Sequence, residues 1–102
     1  MTHDNAAAEV QHTIVVPVGV QMVSLLGSGD ELLRVIESSF PDVDILARGN
    51  EITVTGPPSA VALVERLVDE LVTVLRTGQG LSPESVERSV TMLRRVGREG
   101  PA

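Results

Sequence analysis

Residues 43–56 read VDILARGNEITVTG and carry the pattern that most constrains the fold of this chain. Apolar side chains stand at every second position on each side of a turn: Val43, Ile45 and Ala47 before it, Ile52 and Val54 after it. A period of two predicts strands with one buried face. The pair Gly49-Asn50 is typical of a tight hairpin. We therefore predict two antiparallel strands joined at residues 48–51, with Thr53 and Thr55 facing away from the core.

A long helix is predicted directly after this hairpin, at about residues 58–76. Its apolar side chains recur at intervals of three and four: Val61, Val64, Val68, Leu71 and Leu75, with Leu63, Leu67 and Val74 beside them. This spacing gives a broad apolar face, so the helix is expected at the centre of the core. Gly78 suits the position that follows a helix end. A last helix is predicted from Ser82-Pro83, which suit the N-cap and the first helical position, and its buried face consists of Val86, Val90 and Leu93.

Two further elements precede the hairpin. Residues 13–16 are mostly β-branched and predict a strand, and residues 30–40 predict a helix that Pro41 ends. The buried stripe of this helix consists of Leu32, Ile36 and Phe40. Residues 22–26 are apolar and compatible with a short helical turn. The expected fold is an α+β two-layer sandwich, in which helices pack on one face of a three-stranded sheet in the order β-α-β-β-α-α.

The composition allows one small domain and excludes several classes of function. The chain has 102 residues and no cysteine, so a disulfide scaffold, a thiol nucleophile and a cysteine zinc site are excluded. Phe40 is the one aromatic residue, which excludes an aromatic surface for stacking bases. The net charge is −6, so binding of nucleic acid would need a local basic patch.

The predicted domain covers residues 13–96. Residues 1–12 are polar and are predicted to form a disordered leader, and residues 97–102 a linker or a truncated end. The leader lacks the basic and apolar regions of a signal peptide, and no segment reaches the roughly 20 apolar residues that span a bilayer. We therefore expect a cytoplasmic protein without membrane contact.

The run Gly27-Ser28-Gly29 before a predicted helix has two interpretations. Ser28 and Glu31 have the spacing of a capping box, which favours a simple capping turn. The glycines could instead cradle a phosphate on backbone N–H groups, although no lysine follows and two carboxylates, Asp30 and Glu31, would face that phosphate. A literal G-x-x-G, the sequence of a loop that clamps nucleic-acid backbones, occurs at residues 97–100 and is a chance match after the last helix. The turn at Gly27 is at best a degenerate form of such a G-x-x-G loop.

Arg48, Gly49 and Asn50 form a second candidate contact, at the tip of the hairpin. An exposed arginine beside a tight turn can bind a phosphate or a partner's carboxylate, while ordinary turn chemistry explains the same residues. Arg34 points away from the apolar stripe of its helix and is a further candidate contact for nucleic acid or a partner. The sequence shows no converging carboxylates, no nucleophile with its base and no metal-ligand cluster. We therefore predict no enzyme activity, no metal and no cofactor for this chain.

Several short runs follow one another in a set order: LGSGD at 26–30, LLRVIE at 32–37, RGNEI at 48–52, Gly56, VLRTGQ at 74–79 and LSPE at 81–84. In this order they resemble the N-terminal domain of PhoH-like proteins, and the resemblance covers about residues 13–95. The family positions matched here are Gly27, Asp30, Arg48, Gly49, Asn50, Gly78 and Gln79.

The resemblance implies a KH-like domain that, in this family, precedes a P-loop ATPase domain related to helicases. It implies a role in RNA metabolism. The partners it implies are RNA, the ATPase domain or a second copy, and an endoribonuclease of ribosome maturation. ATP and Mg²⁺ are implied for the ATPase domain only, because these 102 residues contain no G-x-x-x-x-G-K-[ST] motif. The chain is expected to assist RNA binding or assembly of the ATPase; the alternative is a protein–protein interaction domain without RNA binding.

Overall fold

The structure, a computed structural model, describes residues 9–99. Its elements are β1 (Val10–Val15), α1 (Met22–Leu26), α2 (Glu31–Ser39), β2 (Asp44–Arg48), β3 (Glu51–Gly56), α3 (Pro58–Arg76) and α4 (Pro83–Glu99). A 3-10 turn at Ser28–Asp30 links α1 to α2. This order confirms the predicted α+β arrangement, and α1 is the short helical turn that the sequence left open.

The strand β3 lies in the centre of the sheet and pairs antiparallel with both β1 and β2. Arg48 pairs with Glu51, so the loop of the hairpin consists of Gly49 and Asn50. Ile52 and Val54 of β3 are buried in the core. The alternation read from residues 43–56 is therefore confirmed, and it turns one face of the sheet towards the helices.

The helices supply most of the core. The helix α3 packs on β1 and β3, and α4 packs on α2 and α3. Val61, Val64 and Leu67 of α3 are fully buried, which confirms the predicted central position of this helix. Burying a side chain of this size contributes about 1.5–3 kcal/mol. Among residues 9–99, no helix combines the length and the apolar character needed to cross a membrane.

The strand β1 begins at Val10 rather than at Thr13, so its first residues fall within the predicted leader. Gln11 Nε2 donates to Thr55 Oγ1 at 3.2 Å. His12 Nδ1 lies 2.7 Å from a carboxylate oxygen of Glu65 on α3. These polar contacts extend the strand without any apolar periodicity, which explains why the sequence pattern placed its start too late.

The two predicted end segments, residues 1–12 and 97–102, lie partly inside and partly outside the described residues. The helix α4 continues to Glu99, past the predicted domain end at residue 96. Residues 1–8 of the predicted leader lie outside the described residues, as do residues 100–102 of the predicted tail.

Candidate nucleic-acid interface

The turn between α1 and α2 contains the first group of predicted site residues. Gly27, Gly29 and Asp30 have left-handed backbone conformations, with φ of 85°, 61° and 60°. The Asp30 amide donates to the Gly27 carbonyl at 3.1 Å, which closes the turn. Aspartate tolerates the left-handed region better than most residues other than glycine. Two helices thus meet at a tight connection whose backbone is defined by these three residues.

The capping-box prediction for Ser28 and Glu31 is wrong. Asp30, not Ser28, is the N-cap of α2, and no side chain caps this helix. The reason is the 3-10 turn at Ser28–Asp30, which places Ser28 before the helix instead of at its boundary. The Glu31 amide donates to the Ser28 carbonyl, and no side chain caps the amides that follow it at the start of α2.

The turn also leaves no space for a side chain at Gly27. A Cβ built there would lie 2.8 Å from the Cγ atoms of Glu31 and Leu32, and 2.9 Å from the Leu32 backbone nitrogen. At Gly29, by contrast, no heavy atom lies within 4 Å of a built Cβ. The turn is therefore tightly packed at its first glycine and open to solvent at its second.

A cleft of about 480 Å³ separates the Gly27 turn from the turn that ends α3. Gly78 and Gln79 close that helix, since their amides donate to the carbonyls of Leu75 and Val74 at 3.0 and 3.4 Å. The structure thus brings together family positions that lie far apart in the sequence. The sequence did not predict this juxtaposition, although glycines at 78 and 80 already indicated a turn beyond α3.

The lining of this cleft is polar but contains little charge. Ser24, Ser28 and Gln79 contribute polar side chains, and Glu31 is its one charged residue. Arg34 is exposed and follows Glu31 by one helical turn, which places it on the same side of α2. A phosphate at this turn would therefore lie near the positive charge of Arg34 and the negative charge of Glu31 together.

The hairpin tip, the other predicted group, does not line this cleft. The Val16 amide donates to the Asn50 carbonyl at 2.8 Å, and Asn50 Nδ2 donates to the Val16 carbonyl at 3.5 Å. Asn50 therefore joins the tip to the end of β1. Arg48 is exposed and shares its face of the sheet with Glu51 and Val15. The structure thus places Gly27, Ser28, Gly29 and Arg34 in one group and Arg48, Gly49 and Asn50 in another.

Little in the described part of the chain resembles a catalytic or metal-binding centre. The one close contact there between a basic and an acidic side chain is that of His12 with Glu65, between the sheet and α3. Residues 9–99 contain no group of three or more His, Cys, Asp or Glu side chains that could hold a metal ion. The chemistry available at the Gly27 turn is therefore recognition through backbone amides and a small number of side chains.

Relatives of this chain occur among curated proteins. The chain is 45% identical over 97 residues to PhoH-like proteins of Mycobacterium tuberculosis (strain ATCC 25618 / H37Rv) and Mycobacterium bovis. It is 43% identical over 98 residues to a PhoH-like protein of Mycobacterium leprae. The first two matches cover 95% of this chain but only 27% of the relatives. The chain thus spans about a quarter of the length of these proteins.

One solved structure shows the same fold. A crystal structure of a protein of unknown function from Aeropyrum pernix matches with a TM-score of 0.67 and 17% sequence identity. The match covers 90% of this chain and 50% of that one. At this level of identity the likeness concerns the fold alone. No protein-family profile matches the chain.

Proposed function

Since the chain is a homologue of PhoH-like proteins over 97 of its residues, we propose that it is an accessory domain of this family that binds single-stranded RNA. The binding element is the turn at residues 27–30 together with the first turn of α2. In this proposal the chain performs no catalysis and adds an RNA contact to a larger protein.

The observation that carries this proposal is the connection of α1 to α2 by a tight, left-handed turn. KH domains clamp a nucleic-acid backbone with a G-x-x-G loop. Here Gly27 and Asp30 occupy the ends of the turn, and Asp30 adopts a conformation that glycine adopts without strain. No side chain caps the start of α2, which adds the positive end of the helix dipole beside the turn.

Electrostatics predict that this binding is weak and sensitive to salt. The chain carries a net charge of −6, and Asp30 and Glu31 lie at the turn itself. Arg34 is the one cation placed beside them on α2. Contact with one or two phosphates gives a salt slope of about one or two, because each neutralised phosphate releases its counterion. We expect a dissociation constant in the micromolar range at about 50 mM salt and weaker binding at about 200 mM.

A matched pair of variants at Gly29 tests the location of the site. Asparagine and aspartate both tolerate a left-handed backbone, have nearly the same shape and differ in charge. We expect Gly29→Asn to bind a labelled single-stranded RNA nearly as wild type and Gly29→Asp to bind at least about fivefold more weakly, as measured by fluorescence anisotropy. Equal affinities for the two variants would exclude this turn, and absence of binding by the wild type at both salt concentrations would exclude the function.

The same assay includes a variant that is expected to gain affinity. Asp30→Asn removes a negative charge from the turn and retains a residue that tolerates the left-handed conformation. Its RNA affinity should rise about two- to fivefold at low salt. The control is Asp69→Asn, which makes the same change of charge at an exposed position on α3. An equal gain for both variants would show that only the total charge of the chain affects binding.

A further inference from the structure

One face of the sheet carries no helix in the described part of the chain. The register places nine residues on it, and we call them the open face: Gln11, Thr13, Val15, Asp44, Leu46, Arg48, Glu51, Thr53 and Thr55. Val15 and Leu46 are 62% and 53% exposed, whereas Ile52 and Val54 on the opposite face are 2% and 0% exposed. The open face therefore combines two exposed apolar side chains with three threonines and three charged residues.

The side chains of the open face bond to one another across the strands. Gln11 Nε2 donates to Thr55 Oγ1 at 3.2 Å, and the hydroxyls of Thr13 and Thr53 are 3.3 Å apart. These lateral contacts join β1 to β3 across the open face. The face lacks the aromatic rings on which a sheet stacks bases. RNA is therefore a poor occupant of this face, and a second sheet is a better one.

Two of the three charges of the open face, Asp44 and Arg48, complement each other about the middle of β2, and the third, Glu51, lies beside Arg48 on β3. Along β2, Asp44 lies at the first position, Leu46 at the middle and Arg48 at the last. A two-fold axis across the strands at Leu46 would bring each Arg48 opposite Asp44 of the other copy, and each Leu46 opposite its equivalent. Among the described residues, neither Asp44 nor Arg48 forms an ion pair within the chain. Both charges are therefore available to a second copy.

We propose that the open face binds the open face of a second copy of this chain, with the strands antiparallel and Leu46 at the two-fold axis. Closed two-fold pairing is the commonest form of self-association in soluble oligomers, and it requires a self-complementary surface. A two-fold axis running along β2 would instead place Asp44 opposite Asp44 and Arg48 opposite Arg48, so electrostatic repulsion disfavours that parallel arrangement.

The size of the open face predicts a weak dimer. Three strands spaced about 4.8 Å apart, with about 3.3 Å per residue, give a patch on the order of 15 Å by 17 Å. This is well below the roughly 800 Å² per partner of a standard stable interface. We expect a dissociation constant on the order of 0.1 mM for the isolated chain, so the contact becomes strong only where copies are already held near one another.

Sedimentation equilibrium between about 10 µM and 1 mM at low salt tests the proposal, with the concentration range set by the weak affinity expected. Wild type should pass from monomer to dimer within this range. Leu46→Asp should remain monomeric, because it places two carboxylates at the two-fold axis. The control is Met92→Asp, which makes a comparable change at a 63% exposed position on α4 and should dimerise as wild type. A monomeric wild type at 1 mM, or a dimer that Leu46→Asp leaves intact, would overturn the proposal.

Exchanging the charges of Asp44 and Arg48 tests the antiparallel pairing and leaves Leu46, at the centre of β2, unchanged. Asp44→Arg and Arg48→Asp should each weaken dimerisation at least about tenfold, since each places like charges opposite one another. The double variant restores opposite charges and should recover to within about threefold of wild type. Circular dichroism establishes that each variant is folded. Failure of the double variant to recover would exclude the antiparallel pairing, and RNA binding through the Gly27 turn would be unaffected by that result.

Discussion

Gly27 is the residue at which the turn between α1 and α2 has least room, and it supplies a direct test of how the turn is built. We expect Gly27→Ala to lower the free energy of unfolding by about 2–4 kcal/mol, because the new Cβ overlaps Glu31 and Leu32 in a left-handed backbone. Gly29→Ala has no overlap, and its backbone (φ 61°, ψ 25°) is more accessible to alanine than that of Gly27 (φ 85°, ψ 164°), so it should cost about 1 kcal/mol. Urea unfolding measures both losses. Equal losses would contradict the constraint that the overlap and the backbone conformation together place on Gly27.

At this scale the sequence located the turn but not its conformation. The glycines at 27 and 29 indicated a break before α2, and the structure places one there. The left-handed Asp30 could not be read from the sequence, because an aspartate or serine just before a helix usually indicates a side-chain cap. The choice between the two geometries depends on how α1 enters the turn, and that helix has only five residues.

Among the elements, α4 contacts the end of α2 through Arg94, in addition to its apolar packing on that helix. Arg94 donates to the Ser39 carbonyl, and its guanidinium carbon lies 4.7 Å from the centroid of the Phe40 ring. We expect Arg94→Ala to lower the free energy of unfolding by about 1 kcal/mol, because it removes a cation–π contact and a charged hydrogen bond. Arg95→Ala is the matched control, since Arg95 is exposed and should contribute less than about 0.5 kcal/mol. Thermal or urea unfolding compares them, and equal effects would contradict this contact.

The sequence predicts the first and last residues of some helices and strands better than those of others. The ends of α3 agree with the periodic pattern at residues 58–76, because its apolar spacing and its flanking turn residues indicate the same limits. The start of β1 disagrees with the sequence pattern. Gln11 and His12 belong to this strand, and their side chains form hydrogen bonds to residues more than forty positions away. Contacts of that kind have no local signal. Arg94 and Arg95 likewise look equivalent until the position of Phe40 is known.

For the whole molecule, the structure predicts that α4 is part of the cooperative unit. Val86 and Val90 are 0% and 4% exposed, and α4 covers apolar residues of both α2 and α3. Ending the chain at Gly80 removes two buried valines, each worth about 1.5–3 kcal/mol, and uncovers their partners. A domain stable by about 5–15 kcal/mol should then lose most of its cooperative thermal transition in circular dichroism. Ending it at Val96 should leave the transition nearly unchanged. A cooperative transition near the full-length temperature for the shorter chain would contradict this prediction.

The arrangement of the sheet was the least predictable property of the molecule. Period-two patterns and the Gly49-Asn50 turn predicted that β2 and β3 pair, and they do. No local pattern shows that β1 joins the β3 side of this hairpin, because that choice depends on where α3 crosses the sheet. The separation of the Gly27 turn from Arg48 follows from the same arrangement. The sequence therefore identified the candidate contact residues one by one, but not which of them lie together in the structure.

The central position of β3 also has a consequence for the order in which the chain folds. β2 and β3 are joined by a two-residue loop, and such a hairpin forms in about 1–10 µs, whereas Thr13 and Thr53 of β1 and β3 are 40 residues apart in the chain. Closing that longer loop loses more entropy before its contacts form. The hairpin and α3 are therefore expected to assemble first, and β1 to be added to them. During synthesis β1 leaves the ribosome before its partner strand exists, so the first strand to be made is the last to be paired.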